Sequence, residues 1–80
     1  MSVTYDRLAS LLTTKLGVAS EEITPDATFE ELDVDSLALV ELTDILDAEF
    51  GITLDESAVA KDSKLSEVAS LIEAYEADRS

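Results

Sequence analysis

The chain has 80 residues, 46% of them hydrophobic, and its 19 acidic and 5 basic residues give a formal net charge of -14 at pH 7. This length allows a single domain, and the hydrophobic content lies above that of intrinsically disordered chains. The charge argues against nucleic acid and anionic membranes as partners and favours basic proteins. Without Cys or His, the chain has no disulfides, no thiolate nucleophile and no imidazole base, so self-contained catalysis is not expected.

The sequence carries no signal for export or membrane insertion. No N-terminal apolar run follows basic residues, and no apolar stretch is long enough to span a bilayer. We therefore expect a cytoplasmic protein.

The first predicted element is an amphipathic helix from Thr4 to Leu16. Its apolar positions recur at steps of three and four residues, namely Tyr5, Leu8, Ala9, Leu12 and Leu16. Gly17 follows at the place where a left-handed helix cap is expected.

Residues 18–35 lack this periodicity and predict a long loop. Connections in small domains are mostly about 4 to 6 residues long, and longer ones are often functional. The apolar residues expected to anchor the loop in the core are Ile23, Phe29 and Leu32. Thr28 and Glu31 have capping-box spacing, which predicts a short helical turn from Phe29 to Leu32.

The second predicted helix begins after an N-cap at Asp35 and runs to Phe50, where Gly51 ends it. Apolar and acidic residues are interleaved along it at helical spacing: Leu39, Leu42, Ile45, Leu46 and Phe50 with Glu41, Asp44, Asp47 and Glu49. If the Asp35 carboxylate accepts from the first-turn amides, Ser36 is the first helical residue and its hydroxyl projects into solvent. The positive end of the helix dipole would stabilise a phosphodiester there. From the Asp-Ser-Leu tripeptide alone, a plain helix cap is the commoner interpretation.

After Gly51, Ile52 and Leu54 predict a loop with apolar anchors, and Glu56 to Lys61 predict a short helix. Ser63 is the predicted N-cap of a last helix whose apolar positions are Leu65, Val68, Ala69, Ile72 and Tyr75. The expected fold is all-α: a small bundle of three longer helices plus one short helix, with a long loop between the first and second helices.

Two alternatives compete for the acidic segment around Ser36. An EF-hand starting at Asp33 requires glycine at its sixth position and glutamate at its twelfth, where this chain has Ala38 and Asp44. No metal site is therefore expected, although weak divalent binding on clustered carboxylates stays open. The other alternative is an acidic interaction module that binds a basic partner, with Ser36 as an unmodified cap.

The pattern as a whole resembles the acyl carrier protein family. Asp-Ser-Leu at 35–37, the preceding Phe-x-x-Leu at 29–32 and Phe-Gly-Ile at 50–52 stand in the family's order of elements. The resemblance covers almost all of the chain and implies one acyl carrier domain over 1–80. It also implies that a transferase moves 4'-phosphopantetheine from coenzyme A to Ser36, with Asp35 and Leu37 beside the attachment point. The chain would then be a carrier and a substrate of enzymes, with no catalytic residues of its own.

Similar carriers use the second helix for recognition, so the resemblance implies that Glu41, Asp44 and Asp47 contact basic docking patches. Val40 and Leu37 are either core residues or partly exposed residues that contact the partner, and the sequence leaves both interpretations open. The implied partners are phosphopantetheinyl transferase, ketosynthase, acyltransferase and other synthase enzymes, and the carrier is expected to be a monomer.

The resemblance also implies that the cargo is an acyl or polyketide chain held as a thioester. The run 36–39, Ser-Leu-Ala-Leu, resembles carriers of aromatic polyketide synthases, whereas 32–35, Leu-Asp-Val-Asp, also resembles fatty-acid carriers of actinobacteria. Many fatty-acid carriers have an acid at the position of Ala38 and a bulky apolar residue at that of Asp44. Type II polyketide synthesis is therefore favoured, with fatty-acid synthesis as the alternative.

Overall fold

The computed structural model describes residues 3–54 and 58–79, which form an all-α fold. Its elements are α1 (Val3–Leu16), the 3-10 turn η1 (Ser20–Glu22), α2 (Ser36–Phe50) and α3 (Leu65–Arg79). The predicted bundle with a long connection between the first two long helices is confirmed. The short helix predicted from Glu56 to Lys61 falls partly on 55–57, outside the described residues. Of the helices in the described ranges, none is both long and apolar enough to cross a bilayer.

Both glycines end a helix, as the sequence predicts. Gly17 follows α1 with φ 72°, and Gly51 follows α2 with φ 65° and ψ 35°. This left-handed conformation disfavours residues with a Cβ atom, so glycine suits both places.

The core lies where the three helices face one another, and the long loop completes it. The helices contribute fully buried side chains at Leu8, Leu12, Leu42, Leu46, Leu65, Val68 and Ile72. The largest fully buried side chain among the described residues is nevertheless Phe29, which belongs to the loop. The predicted anchors Leu32 and Ile23 are buried and half-buried, respectively. The loop is thus part of the core, and its path along the bundle is held by apolar contacts.

Arg7 joins α1 to the C-terminal end of α2. A guanidinium N–H donates to the Glu49 carbonyl oxygen at 3.0 Å, and Cζ lies 4.3 Å from the centroid of the Phe50 ring. The last carbonyls of a helix have no intrahelical partner and attract cations, and an aromatic face does the same. This contact helps to fix the orientation of α2 against α1.

The start of α3 differs from the prediction at Ser63. The prediction that Ser63 caps this helix is wrong: α3 begins at Leu65, and the Ser63 hydroxyl accepts from the Ala60 N–H at 3.1 Å. The Glu67 carboxylate instead accepts from the Lys64 N–H at 2.9 Å. The Ser63 hydroxyl is thus engaged in a local turn and not at the start of the helix. Short polar side chains often bind nearby backbone groups in this way.

Backbone hydrogen bonds join the long loop to the first turn of α3. The Leu65 N–H donates to the Ala27 carbonyl and the Ser66 N–H donates to the Pro25 carbonyl, both at 3.0 Å. These N–H groups belong to the four that every helix leaves without an intrahelical partner. The loop carbonyls therefore accept from N–H groups at the start of α3, and these hydrogen bonds also hold the loop in place.

Candidate functional site

A single helical turn precedes α2, and a capping box forms the N-terminal end of this turn. The Thr28 N–H donates to Glu31 Oε1 at 3.2 Å, and the Glu31 N–H donates to Thr28 Oγ1 at 3.2 Å. The Leu32 N–H donates to the Thr28 carbonyl at the same distance. The predicted capping box is therefore confirmed.

The turn closes with the hydrogen bonds of a Schellman motif. The Val34 N–H donates to the Phe29 carbonyl at 2.9 Å, and the Asp33 N–H donates to the Glu30 carbonyl at 3.1 Å. Asp33 has φ 61°, the left-handed conformation that this motif requires and that Asp tolerates better than most residues. Val34, the next residue, is buried. The turn and this buried side chain together fix the position of Asp35.

Asp35 is the N-cap of α2, as the sequence predicts. Its backbone is extended, its Oδ1 accepts from the Ala38 N–H at 2.8 Å and its carbonyl accepts from the Leu39 N–H at 2.9 Å. These two acceptors begin the helix, and they make Ser36 its first residue.

Removing this cap should weaken the fold. We expect Asp35→Ala to lower the free energy of unfolding by about 1 kcal/mol, because the Ala38 N–H loses its acceptor. Asp35→Asn keeps a side-chain oxygen and should lose clearly less. Urea unfolding followed by circular dichroism measures both, and equal losses in the two variants would contradict the capping role.

Ser36 presents an accessible hydroxyl beside free backbone donors. Ser36 and Leu37 are both exposed, and within the described part of the chain neither the Ser36 hydroxyl nor the two N–H groups has a hydrogen-bond partner. Such N–H groups, at the positive end of the helix dipole, stabilise a nearby anion. The local structure therefore fits a phosphodiester on Ser36.

The exposed face of α2 next to Ser36 combines apolar and acidic side chains. Leu37 and Val40 are large hydrophobic residues that are 69% and 45% exposed, and Glu41 and Asp44 are exposed as well. Their spacing puts these four residues on one side of the helix, and we call them the docking face. Three of them, Val40, Glu41 and Asp44, are predicted partner-binding residues.

Asp47, the fourth predicted partner-binding residue, has a hydrogen bond within the protein. It is half-buried, and its Oδ1 accepts from the Leu54 N–H at 2.9 Å. The carboxylate thus holds the segment that follows Gly51 against α2. Its contact with partners stays a prediction.

Two grooves adjoin the segment that leads to Ser36, and both are lined by Asp33 and Val34. The larger, of about 560 Å³, lies between the end of α1, the long loop and α2, and Lys15 and Glu41 are among its lining residues. The smaller, of about 220 Å³, is completed by Glu30, Asp35 and Lys61. No functional role for Lys61 follows from the sequence, because nothing in the local pattern places it beside Asp35.

Comparison with known proteins identifies the family. Residues 6–72 match the family model described as the phosphopantetheine attachment site. The chain is 35% identical over 68 residues to the acyl carrier protein of Nitratidesulfovibrio vulgaris, covering 84% of this chain and 90% of that protein. It is 36% identical over 58 residues to that of Petrotoga mobilis, covering 71% and 68%, and 33% identical over 70 residues to that of Thermotoga maritima, covering 86% of each.

The fold agrees with these relationships. The chain superimposes on the crystal structure of an acyl carrier protein from Thermotoga maritima with a TM-score of 0.81. The superposition covers 98% of this chain and 96% of the other, at 17% sequence identity. The chain therefore belongs to the acyl carrier protein family, whose members bear the phosphopantetheine attachment site and act as carriers, not as enzymes.

Proposed function

We propose that Ser36 is the residue that takes 4'-phosphopantetheine and that the chain carries acyl or polyketide chains as thioesters between biosynthetic enzymes in the cytoplasm. The observation that carries the proposal is the exposed, unpartnered Ser36 hydroxyl at the capped start of α2. When bound, the prosthetic group supplies the thiol that holds the cargo. The chain has no Cys to compete with it.

Both the chain and the transferase supply groups for the attachment reaction. Ser36 Oγ attacks the phosphorus that bears the pantetheine arm of coenzyme A, the pyrophosphate bond breaks, and adenosine 3',5'-bisphosphate leaves. The hydroxyl proton passes to a base of the transferase. Magnesium held by the transferase assists the attack. The carrier contributes an accessible oxygen and the free N–H groups of Ser36 and Leu37 that favour the anion formed there.

The direct test is loading in vitro. The purified apo chain is incubated with coenzyme A, magnesium and a broad-specificity phosphopantetheinyl transferase, and its mass is measured intact and after digestion. A mass gain of one phosphopantetheine on the peptide that contains Ser36 supports the proposal. An unchanged mass would instead favour the acidic interaction module, in which Ser36 is only a cap.

The docking face is the surface proposed to meet the transferase, ketosynthase, acyltransferase and related synthase enzymes. Its exposed apolar residues, Leu37 and Val40, lie beside the carboxylates of Glu41 and Asp44. Opposite charge steers association and sets orientation, while the small apolar area keeps the complex brief. When a basic patch of a partner enzyme binds the docking face, Ser36 would therefore lie at a fixed position relative to that enzyme.

Charge reversal on the docking face should weaken recognition. We expect the double variant Glu41→Lys/Asp44→Lys to raise the KM of the transferase for the carrier on the order of tenfold in low salt. The control Glu21→Lys/Glu73→Lys changes the net charge equally at exposed positions outside α2. Steady-state kinetics at low and high salt measure both, and equal effects of the two double variants would contradict a localised docking face.

For the pathway, we propose type II polyketide synthesis over fatty-acid synthesis. The support is the 36–39 run and the departures from fatty-acid carriers at Ala38 and Asp44, the second of which lies on the docking face. Loaded carrier is offered in parallel to a polyketide ketosynthase and to a fatty-acid ketosynthase, with malonyl extender and acyl starters. Preferred elongation by the fatty-acid enzyme would reverse this assignment without touching the role of Ser36.

A further inference from the structure

We propose that Lys61 is a positioning residue, whose ammonium pairs with the phosphodiester attached to Ser36. This inference rests on the proposed attachment at Ser36. It assigns a function to a basic side chain that lies outside the docking face.

The structure places Lys61 and Asp35 in the same groove. The groove of about 220 Å³ is lined by Lys61 and by Asp35, which directly precedes Ser36. The position of Lys61 is supported by the backbone, because its carbonyl accepts from the Glu30 N–H at 2.9 Å. That hydrogen bond ties the segment of Lys61 to the single turn that leads to Ser36. The lysine is therefore held near this site although it is distant in sequence.

The charges around this groove favour the pairing. Three acidic residues line it, Glu30, Asp33 and Asp35, and Lys61 is its basic residue. A phosphodiester on Ser36 adds another negative charge to an acidic neighbourhood, which like-charge repulsion disfavours. Within the described part of the chain, the Lys61 side chain has no hydrogen bond or ion pair that would compete. The new anion and this ammonium are thus complementary.

The competing interpretation is that Lys61 only balances the carboxylates of the groove. In that case its environment is the same before and after loading. Pairing with the phosphodiester predicts a change on loading, so comparison of the apo and holo chain separates the two interpretations.

Competitive acylation tests the pairing in the unaltered chain. Apo and holo protein are treated with a trace of an amine-reactive acetylating reagent in low salt, and the labelling of each lysine is measured by peptide mass spectrometry. An anion beside the ammonium stabilises its protonated, unreactive form. Relative to Lys64, which does not line this groove, Lys61 should react about threefold more slowly in the holo form, as expected for an exposed ion pair. In high salt the difference should shrink.

Equal Lys61 reactivity in the apo and holo forms would overturn the proposal. A difference that persists unchanged in high salt would also overturn it, because the arm would then cover Lys61 without charge pairing. If the chain takes up no phosphopantetheine at all, the proposed function itself fails. If the chain is loaded but Lys61 reacts equally fast in the apo and holo forms, only the pairing of Lys61 with the phosphodiester is contradicted.

A second measurement observes the phosphorus directly. In the holo chain, Lys61→Met should move the ³¹P resonance of the phosphodiester, and Lys61→Arg should leave it close to that of the wild type. The matched control Lys64→Met removes one positive charge elsewhere and should have no effect. Circular dichroism establishes that each variant is folded, and a resonance that Lys61→Met and Lys64→Met leave equally unmoved would contradict the pairing.

Discussion

Ser36→Ala should abolish phosphopantetheine loading completely. The substitution removes the hydroxyl oxygen at the proposed attachment point, and the chain offers no Cys as a substitute nucleophile. Intact-mass measurement after incubation with coenzyme A and transferase is the readout. The matched control is Ser70→Ala, which removes an exposed hydroxyl from α3 and should load like the wild type.

The loss in Ser36→Ala should be chemical and not structural. The Ser36 hydroxyl has no hydrogen-bond partner in the described structure, and Asp35 rather than Ser36 caps the helix. Alanine is also the best helix former. We therefore expect the unfolding free energies of Ser36→Ala and wild type to agree within about 0.5 kcal/mol. A mass gain that persists in Ser36→Ala would place the attachment at another residue.

Phe29→Ala should give the largest loss of stability. The Phe29 side chain is 0% exposed and is the largest among the fully buried side chains. Truncating a buried phenylalanine costs about 3–5 kcal/mol, which is much of the total stability of so small a domain. Urea unfolding followed by circular dichroism measures the loss, and we expect a partly or wholly unfolded protein at room temperature.

Two controls make this result specific to the loop anchor. Val3→Ala shortens an apolar side chain that is 75% exposed and should change stability by less than about 0.5 kcal/mol. Phe29→Leu keeps most of the buried volume and should be tolerated much better than Phe29→Ala. A loss below about 1 kcal/mol in Phe29→Ala would show that the loop does not depend on this contact.

The three long helices could be predicted from the sequence because their signals are local. Apolar residues recur with the helical period, and Asp35, Gly17 and Gly51 mark helix ends through hydrogen bonds and dihedral angles that involve only nearby residues. The capping box of Thr28 and Glu31 is local in the same sense. The error at Ser63 arose because a nearby turn offered its hydroxyl a competing partner.

The arrangement of the long loop depends on residues that are far apart in sequence. The Ala27 and Pro25 carbonyls receive N–H groups of α3, and Phe29 enters the core between helices. No local pattern contains these contacts, since they form only when the helices pack. This is the physical reason why the sequence predicts a loop with apolar anchors but not the path of that loop.

The same division holds at the proposed site. The sequence by itself determined that Ser36 begins a capped acidic helix, because the Asp35 cap needs only the backbone of the next turn. Only the tertiary structure decided that Leu37 and Val40 stay exposed, that Asp47 binds the Leu54 N–H and that Lys61 lies in the groove beside Asp35. Exposure and proximity are set by which helix faces pack together, and that packing is a property of the whole chain.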